Sequence, residues 1–238
     1  FPYTTLFRSA VSRSVFLFGN VSPSASYIEN QIERGELLYE HIRRYFDKAG
    51  EMLDVGSSAG GLMRAFIDRG WRALGVDPDP GYVAWGREKL GLPVVVAAAE
   101  EMELEDSKYD FIMITGSLEH VIDPNATLAL CRKAARPNSL LLLEGHGLGQ
   151  AMNLKRFGHN HRRYLTRNSI ELMMLKHGWE PIWTTNEELC GPTRPGSVYC
   201  LGRAGEASDR DAILEMIRGG KRETPEEILA FVAKAGIA

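Results

Sequence analysis

The chain switches between two hydrophobic periods, and this alternation most tightly limits what it can fold into. Short apolar runs at Met52–Val55, Trp71–Val76, Pro93–Ala97, Tyr109–Thr115 and Leu140–Glu144 read as strands. Between them lie stretches of helical period with caps at their ends. Tyr27–Lys48 brings Ile28, Ile32, Leu38, Ile42 and Tyr45 near one face. Gly60–Arg69 is stopped by Gly70. Asp79 caps a helix with Pro80 at its first position and Gly91 at its end, and Asp123-Pro124 opens another to Ala135. Asn168-x-x-Glu171 has the form of a capping box for a helix to His177. Trp179–Thr185 and Ser197–Leu201 read as closing strands. Strand and helix alternate through most of this span, which implies an open, mostly parallel α/β sheet.

After Gly205 the pattern becomes polar. Two short helices are expected, Ser208–Ile217 and Thr224–Ala235, the second opened by the capping box Thr224-Pro225-Glu226-Glu227. Their apolar residues suit local packing on the main domain, with docking to a partner as the alternative. The expected organisation is a helical segment over 10–50, a main domain over 51–203 and a helical tail over 204–238. The chain does not begin with Met, and Phe1–Ser9 (FPYTTLFRS) resembles the in-frame translation of a sequencing adapter. That segment is expected to be foreign, with the natural start lost.

Composition excludes several function classes. The 238 residues carry 28 Lys plus Arg against 31 Asp plus Glu, a net charge of −3, which argues against a nucleic-acid coat. The longest apolar runs, Phe111–Ile114 and Leu140–Leu143, fall far short of the ~20 residues of a membrane span. Three scattered cysteines, Cys131, Cys190 and Cys200, suit neither a disulfide framework nor a zinc site, so a reducing cytoplasm is expected.

The chemistry concentrates at strand ends. Leu53-Asp54-Val55-Gly56-Ser57-Ser58-Ala59-Gly60-Gly61 runs from an apolar strand through a glycine turn into a helix. In a parallel sheet this is the ligand-binding edge, and the helix start favours negative charge. A dinucleotide fingerprint would need glycine where Ser58 stands, and a P-loop would need Gly-Lys-Ser/Thr. Asp77 closes the next strand, about 20 residues on, where a carboxylate can accept both hydroxyls of a ribose; its plainer role is to cap the turn with Pro78.

Asp54, Gly56 and Gly60 resemble the D-x-G-x-x-x-G motif of class I S-adenosylmethionine-dependent methyltransferases, and the resemblance covers roughly Leu53–Gly202. It implies a Rossmann-like, doubly wound, mostly parallel seven-stranded sheet with the last strand antiparallel. It also implies S-adenosylmethionine as cofactor, held by Asp54, Gly56, Ser57, Ser58, Gly60, Asp77 and Pro78. Ala99 and Glu100 match the segment that lies along the adenine; a common Asp is Ala98 here, which leaves the amino contact to Glu100 or backbone. Gly116-Ser117-Leu118-Glu119-His120-Val121-Ile122-Asp123-Pro124 resembles the "LEHV-x-DP" stretch of members acting on small molecules. There Gly116, Ser117 and Glu119 are expected at the cofactor and His120 at the reacting centre, a bracing histidine being the plainer role. Some relatives hold a metal with an acid at the position of Gly116, so no metal is expected.

Lys155–Thr166 resembles a substrate lid. It brings Lys155, Arg156, Arg162 and Arg163, with Arg167 beyond it, and no acid. Such a cluster can receive an anionic substrate or be a solvated basic loop. If the acceptor is a hydroxyl, a base is needed, and His120, His159 and His161 are the candidates. The resemblance implies a methyltransferase of a small molecule, with no nucleic-acid or membrane partner. The alternatives are a nicotinamide-dependent oxidoreductase or epimerase, and a non-catalytic scaffold.

Overall fold

The structure is a computed structural model that describes residues 23–147, 163–191 and 196–234. Its elements are α1 (Ala25–Ile42), β1 (Glu51–Val55), α2 (Arg64–Ile67), β2 (Arg72–Asp77), α3 (Pro80–Leu90), β3 (Val94–Val96) and β4 (Tyr109–Thr115). They continue with α4 (Pro124–Ala134), β5 (Ala135–His146), α5 (Arg167–Lys176), β6 (Trp179–Thr185), β7 (Ser197–Ala204), α6 (Arg210–Arg218) and α7 (Pro225–Lys234). The strands form one seven-stranded sheet in the order β3-β2-β1-β4-β5-β7-β6. All neighbours are parallel except that β7 runs antiparallel to both β5 and β6. This is the expected doubly wound sheet with its last strand reversed. The order turns back between β1 and β4, which opens a crevice at their carboxyl ends.

The sheet is covered on both faces, which is why its central strands are apolar nearly throughout. Leu53, Val55, Ile112, Ile114, Leu141 and Leu143 pack on one face. Met52, Phe111, Met113, Leu140 and Leu142 pack on the other, with Leu38 and Ile42 of α1.

Local chemistry sets most element ends. Asp79 accepts the N–H of Gly81 at 2.8 Å to start α3, and Gly91 ends it in the left-handed conformation. Asp123 caps α4 in the same way. Several boundaries differ from the expectation: the helix expected over Gly60–Arg69 is a 3₁₀ turn over Gly61–Met63 followed by the short α2, β7 runs past Leu201 to Ala204, and three others follow. First, α1 stops at Ile42 and continues as a 3₁₀ turn over Arg43–Tyr45. Second, the capping box of α5 is Thr166 with Ser169, not Asn168 with Glu171, because the Thr166 and Ser169 side chains satisfy each other's backbone N–H. Third, β5 begins directly after α4 and runs to His146, two residues past Glu144. Pairing with β7 as far as Ser197 carries it across Gly145, where the apolar pattern breaks.

The α1 helix seats on the glycine turn. A Cβ on Gly35 would stand 2.5 Å from the carbonyl oxygen of Leu62, and one on Gly61 would stand 2.6 Å from Cβ of Gln31. Only bare backbone permits this approach, and it carries the polar side chains of Gln31 and Arg34 over the crevice. The tail lies against α5: Ser208 donates to the carbonyl of Leu175 at 2.9 Å, and Lys221 pairs with Glu171. The Thr224–Glu227 capping box forms as expected. Phe1–Ser9 lies outside the described residues.

Candidate active site

The glycine turn is tied to the strands on either side. The N–H groups of Gly56 and Ser57 donate to the carbonyl of Val76 at 2.7 and 3.0 Å. Ser58 donates to Oδ2 of Asp77 at 2.7 Å, and Asp79 donates to Oδ1 at 2.9 Å. Ser117 Oγ donates to the carbonyl of Val55 at 2.7 Å, which fixes the β4 exit to the β1 exit. Gly56, at φ +77°, lies so close to Ser117 that an added Cβ would stand 2.5 Å from its Oγ. Gly60 is also left-handed, at φ +85°, and a Cβ there would press on Met63 and Val94.

These ties frame a cavity of about 450 Å³ at the crevice. Val55, Gly56 and Ser58 form its floor, with Asp77 and Pro78 at one edge. Val76, Ala97, Ala98, Ala99 and Ile122 make an apolar slot beside that edge. Thr115, Gly116, Ser117 and His120 close the β4 side, and Tyr27, Gln31 and Arg34 cover it from α1. Tyr27 donates to Ser58 Oγ at 3.2 Å and accepts from Gln31 at 3.0 Å.

Eight of the residues expected at the cofactor line this cavity: Gly56, Ser58, Asp77, Pro78, Ala99, Glu100, Gly116 and Ser117. Asp54, Ser57 and Gly60 lie behind it as supports. Glu119 also lies behind it: its side chain is fully buried and bonded to Nδ1 of His146. Glu100 lines the slot, but its Oε1 accepts the N–H groups of Ile122 and Asp123. Its Oε1 therefore braces the loop after β4.

His120 lines the cavity, while His159 and His161 lie outside the described residues. So do Lys155, Arg156 and Arg162 of the basic cluster. Arg163 donates to the carbonyls of Val121 and Ile122 at 2.7 and 3.0 Å, so it binds the loop rather than standing open to an anion.

The site is electrostatically unusual. Asp54 is completely buried, and among the described residues neither carboxylate oxygen has a hydrogen-bond partner. Burial, then the charge of Asp77, push its pKa up to about 8 against the opposing pull of Arg34. Asp77 is also raised, by burial first, although the N–H groups of Asp79 and Ser58 hold it down in part. Arg34 is buried and pairs with Glu144 at 3.5 Å. The thiols of Cys131 and Cys200 are pushed up by burial to about 12 and about 11, which suits no nucleophilic role.

Sequence reasoning missed Gln31, Arg34, Glu144 and His146. The first two carried a signal: they fall on the same helical face as Ile28, Gly35, Leu38 and Ile42, where a polar residue needs a reason.

Comparison with known proteins agrees with this geometry. A family described as "Methyltransferase domain" matches residues 53–143. The chain is similar to a ubiquinone biosynthesis O-methyltransferase of Rhodopseudomonas palustris, 28% identical over 96 residues, covering 39% of this chain and 38% of that protein. A protein of the same description from Dinoroseobacter shibae is 26% identical over 194 residues, covering 74% of each. The first of these matches thus spans about two fifths of its relative. Among solved structures, the 1,6-didemethyltoxoflavin-N1-methyltransferase of Burkholderia thailandensis superposes with a TM-score of 0.60 at 15% identity, covering 86% of this chain and 89% of that one. Glycine turn and strand order together give the chain a Rossmann-like, doubly wound fold of the kind these methyltransferases have, and residues 53–143 carry the sequence match to the methyltransferase-domain family.

Proposed function

We propose that the protein transfers a methyl group from S-adenosylmethionine to a hydroxyl, amine or carbon of a small molecule. The observation that carries this reading is the cavity at the β1–β4 crevice, whose polar groups suit the cofactor one by one. Gly56 lines the floor without a side chain to fill it. Asp77 offers further lone pairs at the edge, suited to ribose hydroxyls. The apolar slot at Val76, Ala97, Ala98 and Ile122 suits a flat heterocycle. Arg34, which lines the cavity, suits the carboxylate end of an amino acid, with Asp54 buried behind the floor beside it. The residues present therefore fit the group.

Bound S-adenosylmethionine supplies a methyl group already activated on a sulfonium. The chain's own work is then to orient the acceptor and exclude water, which can supply on the order of 7–11 kcal/mol in favourable systems. The α1 helix, through Tyr27, Gln31 and Arg34, closes one side. His120 stands at the rim where an acceptor enters.

A small acceptor is supported by the relatives, named for O- and N-methylation, and by the resemblance of Leu118–Pro124 to small-molecule enzymes. Among the described residues no helix is long and apolar enough to cross a membrane. The three cysteines are buried and unpaired, which supports a reducing compartment.

The test is ligand-dependent stabilisation, since a ligand that binds only the folded state raises the melting temperature. S-adenosylhomocysteine raises it and NAD does not; the opposite result overturns the reading. Turnover of labelled S-adenosylmethionine with hydroxyl, amine and carboxylate acceptors then separates enzyme from scaffold.

A further inference from the structure

The loop after β4 carries His120, Val121 and Ile122 to the cavity, and its main chain is held in an unusual way. As far as His120 it is an ordinary turn, closed by the N–H of His120 on the carbonyl of Ser117 at 2.9 Å. Beyond that, the N–H groups of Ile122 and Asp123 and the carbonyls of Val121 and Ile122 have no backbone partner among the described residues. Two charged side chains take all of them. Oε1 of Glu100 accepts both N–H groups, and the guanidinium of Arg163 donates to both carbonyls, at 2.7 and 3.0 Å. Arg163 is itself anchored from β5. Two residues on, the N–H of Leu165 donates to the carbonyl of His146 at 2.7 Å. Leu165 is buried where Gly145 leaves room, since a Cβ on Gly145 would run into its side chain. The clamp therefore joins three separate parts of the chain: the segment after β3, the loop after β4 and the entry to α5.

We propose that Arg163 and Glu100 are positioning residues for cofactor binding: together they hold Val121–Asp123 as one wall of the apolar slot, and so set how tightly the cofactor's heterocycle is bound. This rests on the S-adenosylmethionine reading and adds to it what keeps the slot in shape. The opposite wall is tied by main-chain bonds, with Val76 inside β2 and the N–H of Ala97 on the carbonyl of Asp77 at 3.1 Å. The wall at Ile122 has no such ladder, and Ile122 is 40% exposed, so packing alone does not hold it. A slot already fixed in width receives a flat ring without ordering its wall at the moment of binding. Charge-assisted bonds suit the task, being roughly twice as strong as neutral ones. The planar fork of an arginine reaches two successive carbonyls together. Arg163 is not among the residues lining the cavity, so whatever its substitution does to the cofactor passes through the loop.

The experiment measures amide hydrogen exchange and ligand binding on the full chain. In the unliganded wild type the amides of Ile122 and Asp123 should exchange at least about 10-fold more slowly than in a free peptide. Arg163→Met and Glu100→Ala should each lose that protection. By calorimetry Arg163→Met should bind S-adenosylhomocysteine about 10-fold more weakly, the scale of a lost hydrogen bond to a charged group. It should lose the same factor for 5′-methylthioadenosine, which keeps the heterocycle and ribose but has no amino-acid end. Arg163→Lys retains the charge and should recover part of both affinities. Free-peptide exchange at Ile122 and Asp123 in the wild type overturns the clamp, and that measurement needs no variant to fold. Wild-type affinity in Arg163→Met overturns it too, as does a loss confined to S-adenosylhomocysteine, which belongs to the amino-acid end instead. A wild-type chain that binds neither compound overturns the cofactor reading, and the exchange of the two amides, read without ligand, then still judges the clamp.

Discussion

The carboxylate of Asp77 accepts the backbone N–H of Ser58 at 2.7 Å, nineteen residues back along the chain. That bond holds Ser58 in the left-handed region, at φ +55°, a conformation costing a non-glycine residue roughly 1–2 kcal/mol. Asp77 therefore shapes the turn as well as facing the cavity. The turn-capping role is seen in these hydrogen bonds, the proposed ribose role falls to the same side chain, and the two separate by mutation. Asp77→Ala should lower stability by about 1–3 kcal/mol, through N–H groups left without an acceptor, and abolish stabilisation by S-adenosylhomocysteine. Asp77→Asn keeps one acceptor oxygen, so it should recover part of the stability yet bind about 10-fold or more weakly. Denaturant titration and calorimetry read the two effects; unchanged affinity in both variants removes Asp77 from the site.

Gly56→Ala should be costly for two independent reasons. The left-handed backbone contributes roughly 1–2 kcal/mol, and the contact with Ser117 adds about 1–3 kcal/mol of overpacking. Ser117→Gly in the same chain should relieve the second and leave the first. Ser117→Ala should not relieve it, because its Cβ is part of the obstruction. Melting curves of the three variants test this ordering.

Asp54 makes stability depend on pH in an uncommon direction. Its folded pKa of about 8 lies above its ordinary value of 3.8, so between those values the folded state holds a proton that the unfolded state has released. The slope of unfolding free energy against pH is then negative. Stability should fall as pH rises from about 4 to about 8, by on the order of a few kcal/mol. Asp54→Asn should flatten that window and raise stability at pH 8. A steeper fall in the variant contradicts the assignment.

Arg34 and Glu144 bury opposite charges, with side chains 5% and 0% exposed. Removing one partner strands the other, which costs about 3–5 kcal/mol in comparable cases. Arg34→Ala should therefore destabilise strongly and also weaken S-adenosylhomocysteine binding. Arg34→Met with Glu144→Gln should recover most of the stability but not the binding. A double-mutant cycle measures the coupling, and additive effects contradict the pair.

Much of this protein is written locally. Asp79-Pro80, Gly91, Asp123-Pro124 and Thr224–Glu227 act over a few residues, so their helix ends can be read without knowing the fold. The α5 cap was misread because Thr166-x-x-Ser169 and Asn168-x-x-Glu171 overlap, and only the folded backbone selects between them. The glycine turn and Asp77 were legible because close approach and left-handed backbone restrict residue type. The alternation of periods fixed the parallel sheet, since burial on both faces demands apolar strands.

Tertiary structure alone decided which distant side chains meet. Glu119 with His146, Arg34 with Glu144, and Glu100 with the N–H groups after β4 are contacts between separate elements. Each depends on strand order, on β5 continuing across Gly145, and on how closely α1 seats at Gly35. Sequence by itself determined the fold class and the floor of the cavity, where residue type answers to local backbone. The structure decided which charges are buried together above that floor, because such pairings are set by the packing of the whole sheet and carry no local pattern.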